Sequence, residues 1–536
     1  MILSIQLCGQ RLCSHQWRLC GIVHWVCIFA LVLTASDRSI AGDQSNVLLI
    51  VVDDLNDFVG CLGGHPQVQT PNIDRLAKQG VLFANAHCAA PLCNPSRAAI
   101  FSGQYPYENG VYANDERDIR KDRPDLILIP EHFRRQGYAT FGAGKLLHQK
   151  NKGLYSEEFY PEQRWSPFSP EQVVYTLDEQ PSKSSANPKH ATELNGSPIV
   201  LPLNRLPSDR APDSDAGESF DWGPLDIDDQ AMGDSKVAQW SATHLSRSHE
   251  RPFLVAVGFY RPHIPLFAPK RYFDMYDNVE IQLPVVRSDD LDDLSATGRK
   301  WALEAVSAGA HQTVVQNNQW RAAVKAYLAC VTYVDAQIGS ILKSLEAGPN
   351  AANTTVIFLS DHGWHLGEKQ HWGKWTGWQR STHVPLIIVP PRSNSEVRRG
   401  SVCHVPVSLV DIYPTLVEMC RLPSPGRLSG ESLVPLIKNP DLKSDRRVIT
   451  TFDRDNYSVT SPRWRYIRYS DGAEELYDQQ ADPHEWHNLA NAPQHASIKS
   501  RLARDLPHMS TPTPSNPQPG IPNKKTKKTK AQKTVR

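Results

Sequence analysis

The chain has 536 residues, 40% hydrophobic and 21% charged, with a formal net charge of +1. That suits one large or two unequal globular domains with sizeable cores, and a net charge this small gives no global field for a nucleic-acid partner. Ten cysteines with no C-x-x-C spacing exclude a disulfide-dense scaffold and a cysteine-type zinc site.

Charge is unevenly placed. Seven cations (Lys524, Lys525, Lys527, Lys528, Lys530, Lys533 and Arg536) fill the last thirteen residues, and without them the net +1 becomes −6 over residues 1–523. The Pro-, Ser-, Thr- and Lys-rich end reads as a disordered basic tail, residues 506–536, that would hold the protein near a polyanion by screened attraction.

In chain order, Arg11 and Arg18 precede an apolar run from Leu19 to Leu33, and Ser39-Ile40-Ala41 offers a small-residue cleavage site. Residues 1–41 therefore read as an export signal and predict a periplasmic, secreted or extracytoplasmic protein; an uncleaved anchor is the competing reading. Cys8, Cys13, Cys20 and Cys27 lie in this segment. Asn46 to Val52 is an apolar run that predicts a strand buried on both faces, ending in Asp53-Asp54. Thr70-Pro71-Asn72 predicts a helix start with Thr70 as N-cap, and Gly80 its end. Val81 to Phe83 reads as a strand, Ser96 to Ser102 as a helix, Pro130 to Gln136 as a helix and Tyr138 to Phe141 as a strand. Residues 150 to 225, rich in Pro, Ser and Asp, predict long loops. Asp229 to His249 predicts a helix, Phe253 to Gly258 a strand, Trp320 to Leu345 a long helix, Thr354 to Leu359 a strand, Pro385 to Val389 a strand and Asp411 to Met419 a helix.

This alternation predicts an α/β fold: a mostly parallel sheet sandwiched by helices over residues 42–445, with ligands at the carboxyl ends of its strands. From Arg446 the pattern changes. Trp464 to Tyr469 and Glu475 to Tyr477 predict a smaller C-terminal subdomain, residues 446–505, with a short antiparallel sheet.

Two acidic pairs end two buried strands, Asp53-Asp54 and Asp361-His362. Either alone reads as a capped turn. Strand ends on one edge of a parallel sheet converge, so together they predict an oxygen-rich site for a hard divalent cation such as Ca2+. Lys145 and His148 follow another strand; alone they read as a solvated Lys and an ordinary surface His, but both can face one pocket, where a cation can hold an oxyanion and an imidazole can move a proton. His263 lies in a loop stiffened by Pro262 and Pro265. Lys374, His365 and Trp364 gather in one further loop region. Cations there suit an anionic group, and Trp364 suits an apolar sugar face. Trp372, Trp375 and Trp378 read as packing.

The run Cys93-Asn94-Pro95-Ser96-Arg97, with Asn46–Asp54, Gly144-Lys145 and His148, Pro262-His263-Ile264-Pro265, Ser360-Asp361-His362-Gly363 and Leu476-Tyr477-Asp478, resembles the type I sulfatases of the alkaline-phosphatase-like superfamily. The match runs roughly from Asn46 to Leu489, and the stretch Asp361 to Glu368 is most similar to iduronate-2-sulfatase and its bacterial relatives. Ser102 stands where the family usually has Thr, and Gln104 where Arg is common.

The resemblance implies that a formylglycine-generating enzyme oxidises Cys93 to Cα-formylglycine. Its hydrate is a geminal diol, in which one hydroxyl attacks sulfur and the other later expels sulfate. It also implies Ca2+ held by Asp53, Asp54, Asp361, His362 and the modified Cys93. Arg97 would steady the hydrate, Lys145 and His148 would hold it with His148 as base, and His263 and Lys374 would grip the sulfate of a sulfated carbohydrate. A phosphodiesterase or phosphonate monoester hydrolase of the same superfamily is the first alternative. A non-catalytic binder of sulfated glycans, with Cys93 left as thiol, is the second.

Overall fold

Asn46 to Val52 forms β1 with every residue buried, as a strand covered on both faces requires. The structure is a computed structural model; it describes residues 44–114, 118–150, 152–161, 164–169, 190–209, 219–305 and 307–507. The expected export signal, part of the 150–225 region and residues 508–536 of the expected tail lie outside those residues.

After β1 come α1 (Pro71–Gln79), β2 (Val81–Phe83), α2 (Cys93–Ser102), α3 (Ile129–Arg135), β3 (Ala139–Gly144) and β4 (Glu157–Phe159). Next are α4 (Gly233–Ser246), β5 (Phe253–Phe259), α5 (Trp320–Ala347), β6 (Thr354–Ser360), β7 (Leu386–Val389), β8 (Ser401–Cys403) and α6 (Ile412–Met419). Eight of these strands form one sheet in the order β8-β2-β7-β6-β1-β5-β3-β4. Neighbours run parallel except at β7, which is antiparallel to β6 and β2.

The two-residue period of β1 divides the core. Leu48, Ile50 and Val52 pack with α1, α4 and α5 on one face, while Val47, Leu49 and Val51 pack with α2, α3 and α6 on the other. β9 (Val448–Asp453), β10 (Asn456–Thr460), β11 (Trp464–Arg468) and β12 (Glu474–Asp478) form a separate antiparallel sheet. Among the described residues, no helix is long and apolar enough to cross a membrane, and Cys61, Cys88, Cys93, Cys330, Cys403 and Cys420 lie outside any disulfide.

Four expectations need correction. α2 starts at Cys93, not Ser96; Pro95 lies in its first turn, where a missing N–H breaks no intrahelical bond. Thr70 stands at the N-cap of α1, but its side chain makes no capping bond: its hydroxyl accepts from Gly60 N at 2.8 Å and donates to Asp74 at 3.2 Å. The α1 amides of Asn72 and Ile73 donate instead to Asp335 of α5, at 3.1 and 2.8 Å, a cap supplied by tertiary packing. The 150–225 region is not all loop. It holds β4, a hairpin of His190–Leu194 with Ser197–Leu201, and Trp222–Leu225 paired in parallel with Leu266–Pro269. The hairpin turns at Asn195-Gly196, both at positive φ, a strong short-range turn signal. The C-terminal sheet has four strands, β9 and β10 preceding the two expected.

Ile50 is fully buried at the centre of the sheet. Ile50→Ala should lower stability to urea by about 2–5 kcal/mol through lost transfer and a cavity, whereas Val285→Ala at an exposed position should stay within about 0.5 kcal/mol. Equal urea midpoints for the two variants would contradict this account of the core.

Candidate active site

Four adjacent strands deliver the site. Val52 of β1 pairs with Ser360 of β6, so Asp53-Asp54 and Asp361-His362 leave the same sheet edge side by side. Val52 also pairs with Phe259 of β5, which leads into Tyr260 and His263. Gly144 at the end of β3 pairs with Gly258 and leads into Lys145. The last approach is close enough to demand glycine: a Cβ on Gly144 would lie 2.0 Å from Gly258 O, and one on Gly258 1.9 Å from Lys145 O. Asp54 adopts a left-handed φ of 61°, which Asp tolerates. This turn breaks the alternation of the strand, which would send Asp53 and Asp54 to opposite faces.

The first turns of α2 enter from one face. Cys93 and Arg97, four residues apart, share a side of the helix. Arg97 is fully buried and donates from Nε to Asp361 Oδ2 at 2.8 Å, and its Nη2 lies 3.4 Å from Asp53 Oδ1. Its Nη1 donates to the carbonyls of Lys145 and Leu146. Lys145 pairs with Asp53 Oδ2, with its Nζ 4.7 Å above the Tyr260 ring. Lys374 Nζ lies 2.6 Å from Asp54 Oδ1 and 2.9 Å from Cys93 Sγ. His263 Nδ1 donates to Ile264 O at 2.5 Å, leaving Nε2 3.9 Å from Asp54 Oδ2. His148, half-buried, faces Cys93 with Nδ1 unpartnered.

The donor set fits a cation. Asp53 Oδ1, Asp54 Oδ2 and His362 Nε2 are buried without a hydrogen-bond partner. His362 Nδ1 donates to Gly363 O at 3.1 Å, so Nε2 presents a lone pair. It lies 3.4 Å from Asp54 Oδ1 and 3.6 Å from Asp361 Oδ2. One ligand atom each from Asp53, Cys93, Asp361 and His362 lies within 4.8 Å of the others, and so do those of Asp53, Asp54, Cys93 and His263. Three carboxylates and one imidazole suit a hard divalent ion.

Burial and charge set the protonation states. Burial pushes Asp53 up, but Lys145, His263 and Arg97 outweigh it and hold this carboxyl well below its usual range, against the charge of Cys93. Asp54 moves upward, because burial and the neighbouring Asp53 outweigh Lys374. Burial opposes ionisation of Cys93, yet Lys145 and Lys374 hold its thiol well below normal. Burial, Lys374 and Lys145 push His263 down to about 3, so its ring is neutral in the free site.

The structure thus brings Asp53, Asp54, Cys93, Arg97, Lys145, His148, His263, Asp361, His362 and Lys374 together. It does not support His365 as a substrate-binding residue. His365 is fully buried, with Nδ1 bonded to Glu368 O and Nε2 to Thr376 Oγ1, each at 3.1 Å. Trp364 is buried as well, and its ring backs Lys374 Nζ at 5.5 Å instead of lying open to a sugar. Trp372, Trp375 and Trp378 pack as expected, against Trp222, Trp301 and Glu475 respectively. Two contributors escaped the sequence reading. Ser360 Oγ joins the two acidic strand ends, lying 3.1 Å from Leu55 N and 2.9 Å from His362 O. Tyr260 lies under Lys145. The only signal for either is adjacency to a strand end.

Residues 45–420 match the family described as Sulfatase, and residues 367–511 the family described as N-sulphoglucosamine sulphohydrolase, C-terminal. A protein of Formosa agariphila named sulfatase is 35% identical over 455 residues, covering 84% of this chain and 83% of that protein. The iduronate 2-sulfatase of Homo sapiens is 28% identical over 447 residues, covering 75% of this chain and 76% of that protein. A solved 2-O GAG sulfatase superposes with a TM-score of 0.62 at 20% identity, over 86% of this chain and 91% of that one. The phosphonate monoester hydrolase of Silicibacter pomeroyi superposes with a TM-score of 0.66 at 22% identity, over 86% and 94%. At such identities these two show a shared fold.

The unpartnered ligand atoms yield a prediction. Ca2+ at a hundredfold excess over its Kd should stabilise the protein by about 2.7 kcal/mol, seen as a rise in melting temperature that EDTA reverses. Asp54→Asn, which removes a charge and a ligand oxygen, should abolish most of that rise. A wild-type melting curve unmoved by Ca2+ would count against the metal assignment.

Proposed function

This chain belongs to the sulfatase family and is a sulfuric ester hydrolase; from that premise we propose that it is exported and cleaves sulfate monoesters of a carbohydrate, in the manner of iduronate-2-sulfatase, with Cys93 matured to formylglycine by a formylglycine-generating enzyme and Ca2+ held by Asp53, Asp54, Asp361 and His362. The observation that carries the reading is Lys374 Nζ at 2.9 Å from Cys93 Sγ, amid the unpartnered atoms of Asp53, Asp54 and His362. When bound, the two groups would supply a geminal-diol nucleophile and positive charge beside the sulfuryl oxygens.

The chain's own residues take the remaining roles. Arg97 fixes Asp53 and Asp361 while its helix presents residue 93. Lys145 and Lys374 stay charged, because Asp53 and Asp54 overcome the cost of their burial, and they neutralise an anionic ester on entry. With Nδ1 already donating to Ile264 O, His263 Nε2 can donate to a sulfate oxygen only after taking a proton from solvent. The ester's charge offsets the two lysines and favours that proton, which His263 can then give to the leaving alkoxide. His148, facing Cys93, would take a proton from a hydroxyl on residue 93. A sulfated, acidic sugar suits the two lysines, and the likeness to iduronate 2-sulfatase supports that substrate class.

Mass spectrometry tests the central element. In a host with the maturation enzyme, the peptide spanning Cys93 should carry formylglycine or its hydrate. Cys93→Ala should fold with an unchanged melting temperature and lose sulfate release from sulfated disaccharides. Finding only thiol in an active preparation would defeat the reading. Turnover of phosphodiesters above that of every sulfate ester would favour phosphoryl chemistry instead.

A further inference from the structure

We propose that Arg261 and Asp234 are positioning residues that set the His263 imidazole against the Cys93 pocket. His263 lies in a short irregular segment between β5 and the strand Leu266–Pro269, so no helix or sheet fixes its direction. Two buried side chains do so instead. Asp234, in the first turn of α4, accepts from Tyr260 N and Arg261 N, each at 2.9 Å, through its two carboxylate oxygens. That clamp fixes where the chain leaves β5. Because it also holds Tyr260, it orients the ring beneath Lys145, which meets the His263 ring edge-on at 5.9 Å.

Arg261 fixes the rest. It is fully buried, and its guanidinium lies beneath the loop. It donates from Nε to Phe267 O at 2.8 Å, from Nη1 to His263 O at 3.2 Å, and from Nη2 to Arg164 O and Ser166 O, each at 3.2 Å. One side chain thus ties the middle of the loop, its exit strand and a neighbouring segment. The planar fork of arginine reaches all four carbonyls; the single ammonium of lysine cannot. Since His263 Nδ1 is bonded to the adjacent carbonyl of Ile264, the ring is locked to its own backbone. Wherever Arg261 holds that backbone, Nε2 follows.

The inference rests on His263 engaging the sulfate, and a double-mutant cycle on the matured enzyme separates the two, with 4-nitrophenyl sulfate as probe. Arg261→Lys should lower kcat/KM by about 10- to 100-fold at unchanged formylglycine content, since an ångström of misplacement costs about that much. In a His263→Ala background the same change should cost less than about twofold more, because coupled residues are not additive. Equal losses in both backgrounds mark a general structural role and overturn the inference alone. Full turnover by His263→Ala itself overturns both the His263 reading and the inference built on it. Asp234→Asn, which keeps an acceptor for one of the two amides, carries the same two outcomes should Arg261→Lys fail to fold. Independently of turnover, a crystal structure of the folded variant should show His263 Nε2 displaced from Asp54 by about 1 Å or more; an unmoved ring overturns the inference.

Discussion

Everything at this sheet edge depends on neutralising charge that has been taken out of water. Asp53, Asp54, Asp361, Arg97, Lys145 and Lys374 are all buried, and an unpaired ion in such a place costs several kcal/mol. The pairing is distributed. Arg97 bridges Asp53 and Asp361, Lys145 holds Asp53, and Lys374 holds Asp54. The acids come from two strands, and the cations from a helix, the end of a third strand and a distant loop. The site therefore closes only when all of these are in place, and removing any one partner strands another charge.

The Cys93 to Arg97 motif is compact because one helical turn does several jobs. Cys93 and Arg97 share a face of α2, and Ser96 between them donates to Asp361 O at 2.5 Å. The helix starts at Cys93 itself, so the positive end of its dipole lies at Cys93 and adds to the two lysines in favouring negative charge there. The same electrostatics that lowers the thiol pKa favours an anionic ester at this point.

Lys374 is held by the other end of the molecule. Trp375 N donates to Pro91 O at 2.9 Å, and Ser307 Oγ accepts from Lys374 N at 3.0 Å. Next along this loop, Trp378 donates to Glu475 of β12 at 2.8 Å, and Gln379 N donates to Glu485 at 2.8 Å. Glu485 in turn pairs with Arg465 of β11 at 2.6 Å. The small antiparallel sheet thus braces the loop that carries Lys374, which ties the C-terminal region to the site although none of the named site residues lies in it.

Much of this was legible in the chain alone. Continuous apolar runs such as Asn46 to Val52 define doubly buried strands without any tertiary information, and acids directly after such runs must emerge at the edge where strands end. A five-residue motif with Cys and Arg one turn apart pointed to two of the residues that the fold gathers at this sheet edge. Other features had no local signature. Thr70 stands at the N-cap, but Asp335, more than two hundred residues away, supplies the capping bonds. His365 and Trp364 sat in a polar, functional-looking run, yet backbone and side-chain partners elsewhere buried them. Arg261 and Asp234 have no local signature either, since their partners lie in other segments. Local pattern determined which residues are strand, helix and strand end, because burial period and chain stiffness act over a few residues. Only the tertiary structure decided which polar groups find partners and which are left facing the site, because that depends on distances between segments far apart in the chain.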